Sequence, residues 1–212
     1  MIADILQKKI VDCHSCKTND EISSIITYRK PLIYCESNSP DIMLVGHSPS
    51  VRPSEEAEYV LKLNLKHRPL YRYIVGEILN PLGINISRIY ATNILKCKTT
   101  KLPEDVKDKS FIPFVFNYCV CLFEEEVCMI KPKLIISLSE TVLKLISKKY
   151  FSKVYKMKSE FGKLHPVNIC NINTSYLPLV HIPKGNNTPV KEYYFPEQKN
   201  RLKRLRETIE LL

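Results

Sequence analysis

The chain has 212 residues, of which 44% are hydrophobic and 25% charged, with no tryptophan and only 5 glycines. This is enough chain for one domain with a real core, and it excludes long disorder, propellers and low-complexity repeats. Lysine and arginine total 32 against 22 aspartates and glutamates, a net charge of +10, which favours polyanions because each neutralised phosphate releases a counterion; a solvated basic surface explains the same surplus.

Residues 2–10 read as a short amphipathic helix leading into the C-x-x-C turn of Cys13 and Cys16. The run 41-DIMLVGHSPS-50 is compactly apolar and ends at glycine, as a buried parallel strand does before a βα loop. Residues 54–66, rich in Glu, Leu and Lys, are a helix candidate. In 69–83, Leu70, Ile74 and Ile78 stand at helical spacing, and Asn80-Pro81 and Gly83 end the pattern. A second strand spans 88–95, and a polar loop over 98–109 precedes a helix over 113–130 that Pro132 stops. A third strand over 133–139 and a helix over 140–149 follow, then a short strand pair around 167–172. A fourth buried strand, 176–182, ends at His181 before a polar loop, and a basic helix over 196–212 closes the chain.

Strands buried on both faces and alternating with helices predict a three-layer α/β/α sandwich around a central, mainly parallel four-stranded sheet, in a single domain over 1–212. Ligands in such sheets bind outside the C-terminal ends of the strands. Those ends carry His47 and Ser48, Asn93, and His181. No apolar run approaches a membrane span and the N-terminal residues lack a signal-peptide core, so a cytoplasmic monomer without a membrane partner is expected.

Eight cysteines stand at 13, 16, 35, 97, 119, 121, 128 and 170. In a reducing compartment they are thiols or metal ligands. Cys35, Cys128 and Cys170 read most simply as buried small hydrophobes. By spacing alone, a structural zinc and an iron–sulfur cluster are equivalent for a four-cysteine set.

In order and spacing, the motifs resemble the iron–sulfur branch of the uracil-DNA glycosylase superfamily, the group called families four and five. The resemblance covers nearly the whole chain. It rests on the C-x-x-C, the G-x-x-P turn in 46-GHSPS-50, the segment 68-RPL-70, the motif 92-TNILKC-97, Cys119 before 132-PKLIISLS-139, and His181 at the last strand end. The resemblance implies a [4Fe-4S] cluster held by Cys13, Cys16, Cys97 and a fourth thiol. Cys119 and Cys121 point about 200° apart on a helix, so one of them faces the cluster. Counting back from Pro132 favours Cys119, with Cys121 as the alternative and zinc as the alternative metal.

The same resemblance implies a DNA-repair enzyme that flips a uracil, or another deaminated base, out of DNA and hydrolyses its N-glycosidic bond. Asn93 would read the uracil edge. His181 would donate to the uracil oxygen where negative charge develops. Gly46 belongs to the substrate-binding turn. The chain departs from the family in three places. The family's water-activating Glu is His47, followed by Ser48, with Ser50 in place of the closing Gly. The stacking Phe falls at Leu70, beside Tyr71. The final motif is 181-HIPKG-185, in which Lys184 is the DNA contact. Two alternatives follow: a non-catalytic DNA-binding accessory of repair or replication, and specificity for hypoxanthine or xanthine.

Overall fold

The fold was analysed in a computed structural model that describes residues 2–18, 20–27, 29–49, 59–181 and 193–212. Helix α1 (Ile2–Asp12) buries Leu6 and Ile10 one turn apart, and the tight turn Ser15–Thr18 and α2 (Asp20–Ser23) follow it. Strands β1 (Tyr34–Cys35) and β2 (Ile42–Gly46) come next. One continuous helical rod then runs from α3 (Pro69–Tyr73) through a π-helical segment, Ile74–Leu79, into α4 (Asn80–Leu82). Proline at its first turn suits a position whose N–H has no partner anyway, and Gly83 ends it in the left-handed conformation (φ 71°). The remaining elements are β3 (Ile89–Asn93), α5 (Phe111–Ile130), β4 (Leu134–Leu138), α6 (Glu140–Tyr150), α7 (Met157–Glu160), β5 (His165–Ile169), β6 (Ile172–Leu179) and α8 (Phe195–Glu210).

The sheet order is β1-β3-β2-β4-β6-β5. Its four central strands are parallel, as the sequence predicts, and antiparallel β1 and β5 extend it to six. Every residue of β2, β3 and β4 is buried, because one apolar cluster beneath α1, α5 and α6 covers one face and a second beneath α3, the π segment and α8 covers the other. This is the three-layer α/β/α arrangement.

Two of the expected elements have different bounds. β6 starts at Ile172, not 176, since its first residues pair only with β5 and stay partly exposed. The β5–β6 hairpin turns through Cys170 and Asn171, both at positive φ (52° and 64°). In the helix candidate over 54–66, residues 54–58 lie outside the described residues; Val60–Lys62 is a single 3₁₀ turn with Leu61 at φ 57°. No helix among the described residues is long and apolar enough to cross a membrane.

Candidate functional site

The parallel register sets Gly46 of β2 opposite Asn93 of β3 at the C-terminal rim. The Asn93 side chain lies directly over that glycine: a Cβ on Gly46 would stand 2.4 Å from Asn93 Oδ1 and 2.8 Å from Leu61 Cδ2. Only glycine admits this approach, so Gly46 works as a cradle for the carboxamide, which is 4% exposed. Past the strand ends, Ile94 N–H donates to Gly46 O (2.9 Å) and Leu95 N–H to His47 O (3.0 Å). These two bonds stitch the G-x-x-P turn to the T-N-x-x-K-C motif and hold half-buried His47 and Ser48 beside Asn93.

His181 follows β6, three strand spacings from β3, or about 14 Å along the rim. The peptide just before it is clamped. Val180 N–H donates to Gln198 Oε1 (2.7 Å), the Tyr73 hydroxyl donates to Val180 O, and Gln198 Nε2 donates to the Tyr73 oxygen (2.9 Å). Tyr73 is 5% exposed and Gln198 1%. Burial raises the Tyr73 hydroxyl pKa, against the Gln198 hydrogen bond that lowers it, so the phenol stays a neutral donor. Sequence reading missed both residues. The available signal was Gln198 on the α8 stripe that also buries Leu202 and Ile209.

Leu70 and Tyr71 are half-buried against the apolar cluster on the α3 side of the sheet. The apolar side chain nearest the Gly46 cradle is Leu61 instead. Lys184 and Ser50 lie outside the described residues.

The four expected thiols come from three segments, the α1–α2 connection, the end of β3 and α5, and they gather. Cys16, Cys97 and Cys119 are buried and Cys13 is half-buried, all unpaired by disulfides. A hydrogen bond between Cys119 and Cys16 lowers the Cys16 pKa against burial. The same bond, with burial, raises Cys119, while the Lys96 backbone N–H pulls it down. Burial first, then the neighbouring Cys119, pushes Cys97 up to about 12. Lys30 closes the cluster's edge by donating to Val11 O (2.8 Å) and to Cys13 O. Cys121 is exposed and donates to Tyr118 O (3.4 Å) on its own helix, so it is Cys119 that joins the other three.

Four soft sulfur donors in a buried setting suit either metal chemistry named above. Among the described residues, no three His, Cys, Asp or Glu side chains converge on a single metal-ion position.

The remaining thiols are not the buried hydrophobes expected. Cys170 is exposed and Cys35 and Cys128 are half-buried, because the Cys170 turn lies at the sheet edge. Cys128 Sγ stands 4.0 Å from Cys170 O.

Behind the thiols runs a buried ionic network. Lys96 Nζ donates to Glu126 Oε2 (2.5 Å) and to Thr92 Oγ1 (2.8 Å). Glu126 Oε1 accepts from Thr92 Oγ1 (2.7 Å) and from Tyr90 OH (2.9 Å). Lys96 is 3% exposed and Glu126 0%. Cys119 and Glu126 lie seven residues apart on α5, hence on one helix face. The Thr and Lys of the T-N-x-x-K-C motif thus fasten the β3 end to the helix that carries Cys119. No protein-family model matches the chain, and a search of curated proteins returns no match.

Proposed function

We propose that the chain is a DNA glycosylase that removes uracil, or another deaminated base, from DNA. The observation that carries this reading is the Asn93 carboxamide seated on Gly46 at the rim of a parallel sheet. An amide that discriminates uracil from cytosine must be held in one orientation, because its donor and acceptor ends are not interchangeable. The reaction breaks the bond between the sugar and the base nitrogen. Water supplies the oxygen that the sugar gains, and the base leaves with the electron pair and then takes a proton. His181 donates to the base oxygen as charge builds there. His47, with Ser48 beside it, positions the water in place of the family's glutamate. Cys13, Cys16, Cys97 and Cys119 would hold a [4Fe-4S] cluster, which would supply a structural cross-link between the N-terminal segment, the segment after β3 and α5.

DNA is held through its phosphates by the basic surface, with Lys203 and Arg204 exposed on α8 and Lys184 three positions after His181 in the sequence. Two substitutions, His47 for glutamate and Leu70 for the stacking aromatic, favour a second reading, a DNA-binding accessory without turnover. Incubation with single and double strands containing uracil, hypoxanthine or xanthine separates the two. Release of any base supports the enzyme and identifies its substrate, whereas DNA binding with every base left intact supports the accessory.

A further inference from the structure

Leu61 and Lys62 have φ of 57° and 53°, two consecutive left-handed residues of which neither is glycine. L-residues avoid this region because Cβ crowds the following carbonyl oxygen, and such outliers persist only where the surroundings enforce them. Here the enforcement is visible on both sides. Val60 N–H donates to Leu32 O (2.8 Å) and Lys62 N–H to Tyr59 O (2.9 Å), while Val60 and Leu63 are 3% and 1% exposed in the core. The resulting turn drives the Leu61 side chain at the rim. Its Cδ2 and Cγ stand 2.8 and 3.4 Å from the point where a Gly46 Cβ would be, and Asn93 Oδ1 stands 2.4 Å from the same point. The leucine and the recognition amide therefore share one small space over Gly46, which explains how a polar group meant to meet a ligand is 4% exposed.

We infer that Leu61 is a plug on the base-reading amide, which a flipped base must displace and whose bulk sets the size of base admitted. The inference rests on the glycosylase reading above. A planar base whose edge pairs with Asn93 occupies the volume that the leucine methyls now fill, so the plugged form binds no base. Apparent affinity is then reduced by the fraction of molecules that are open.

The test uses free uracil as probe, titrated calorimetrically into the whole protein and its Leu61→Ala, Leu61→Gly, Leu61→Phe and Asn93→Ala variants. Leu61→Gly suits a positive φ, so it keeps the turn if alanine disturbs it. Removing the plug is expected to tighten uracil binding about tenfold, Leu61→Phe to weaken it, and Asn93→Ala to abolish it. On uracil-containing DNA the small variants should lower KM more than they change kcat, and they should release thymine where wild type is expected to leave it in place. Uracil excision by wild type with unchanged or weaker uracil binding in both small variants overturns the plug and leaves the enzyme reading standing. If neither wild type nor the small variants bind a base or release one from DNA, the base site itself is refuted and the plug with it.

Discussion

Replacing Glu126 by alanine tests whether the buried ionic network holds the β3 end against α5. The substitution leaves the Lys96 ammonium, 3% exposed, without its counter-charge and removes the acceptor shared by Tyr90 and Thr92. Breaking a buried pair by deleting one partner costs about 3–5 kcal/mol. That overlaps with, and does not add to, the cost of leaving two hydroxyl donors without a charged acceptor. Against a typical total of about 5–15 kcal/mol, such a loss is visible as a large drop in the urea midpoint at unchanged slope. Glu126→Gln keeps the shape and leaves Lys96 uncompensated, so it should lose nearly as much. The double variant Lys96→Met/Glu126→Leu removes both charges with similar volume and should recover most of the loss, since desolvating the pair offsets much of its attraction. A cost below about 1 kcal/mol for Glu126→Ala, or a double variant no better than the single, refutes the argument.

Purified protein should be brown and contain iron and sulfide, and Cys13→Ser, Cys16→Ser, Cys97→Ser and Cys119→Ser should each diminish both, whereas Cys121→Ser should not; stoichiometric zinc without iron after anaerobic purification contradicts the cluster. His181→Ala should slow base release by roughly 10²–10³ with duplex affinity nearly intact, as read from single-turnover kinetics beside a binding titration. The Arg88 guanidinium, which donates to both carboxylate oxygens of Asp41 (2.9 and 2.7 Å), holds the Asp41 pKa below its ordinary value against burial. A carboxylate depressed in the folded state contributes stability above its unfolded pKa and loses it as pH falls through the folded one. Asp41→Asn should therefore flatten the acid limb of melting temperature below about pH 4; an unchanged limb contradicts the assignment.

The rim was legible because each strand end announces itself: an apolar run stopping at Gly46, another at Asn93, a third near His181. The four thiols were named from the motif resemblance, and the helix geometry of α5 separates buried Cys119 from exposed Cys121. Strand β1 could not be read, since two residues acquire strand structure only through pairing with β3. The Lys96–Glu126 pair is 30 residues apart in sequence, and one lysine and one glutamate among so many carry no mark of burial. Leu61 was hidden because its backbone angle is imposed by neighbours. The basic closing helix reads in sequence as an amphipathic helix packed on the core with a solvated basic face; α8 buries Leu202 and Ile209, and part of its charge is engaged. Lys199 pairs with Glu77 (3.0 Å), and Arg201 pairs with Glu197 (2.8 Å) while lying over the Phe161 ring.

The π-helical segment Ile74–Leu79 divides a single rod whose two ends both meet α8 but hold different things there. On one side Tyr73 reaches the Val180 peptide; on the other α4 packs on α8. A Cβ added at Gly76 would meet no atom within 4 Å, and deleting the residue removes no side chain. In a regular α-helix one residue carries about 100° of rotation and about 1.5 Å of rise, but a π-helical turn is an α-helix holding an extra residue, and its wider turn absorbs most of both. The segment thus acts as a phase adjuster: a one-residue deletion at Gly76 should close it into regular α-helix. Helix content would stay almost untouched, and Tyr73 would keep its hold on the Val180 peptide that precedes His181.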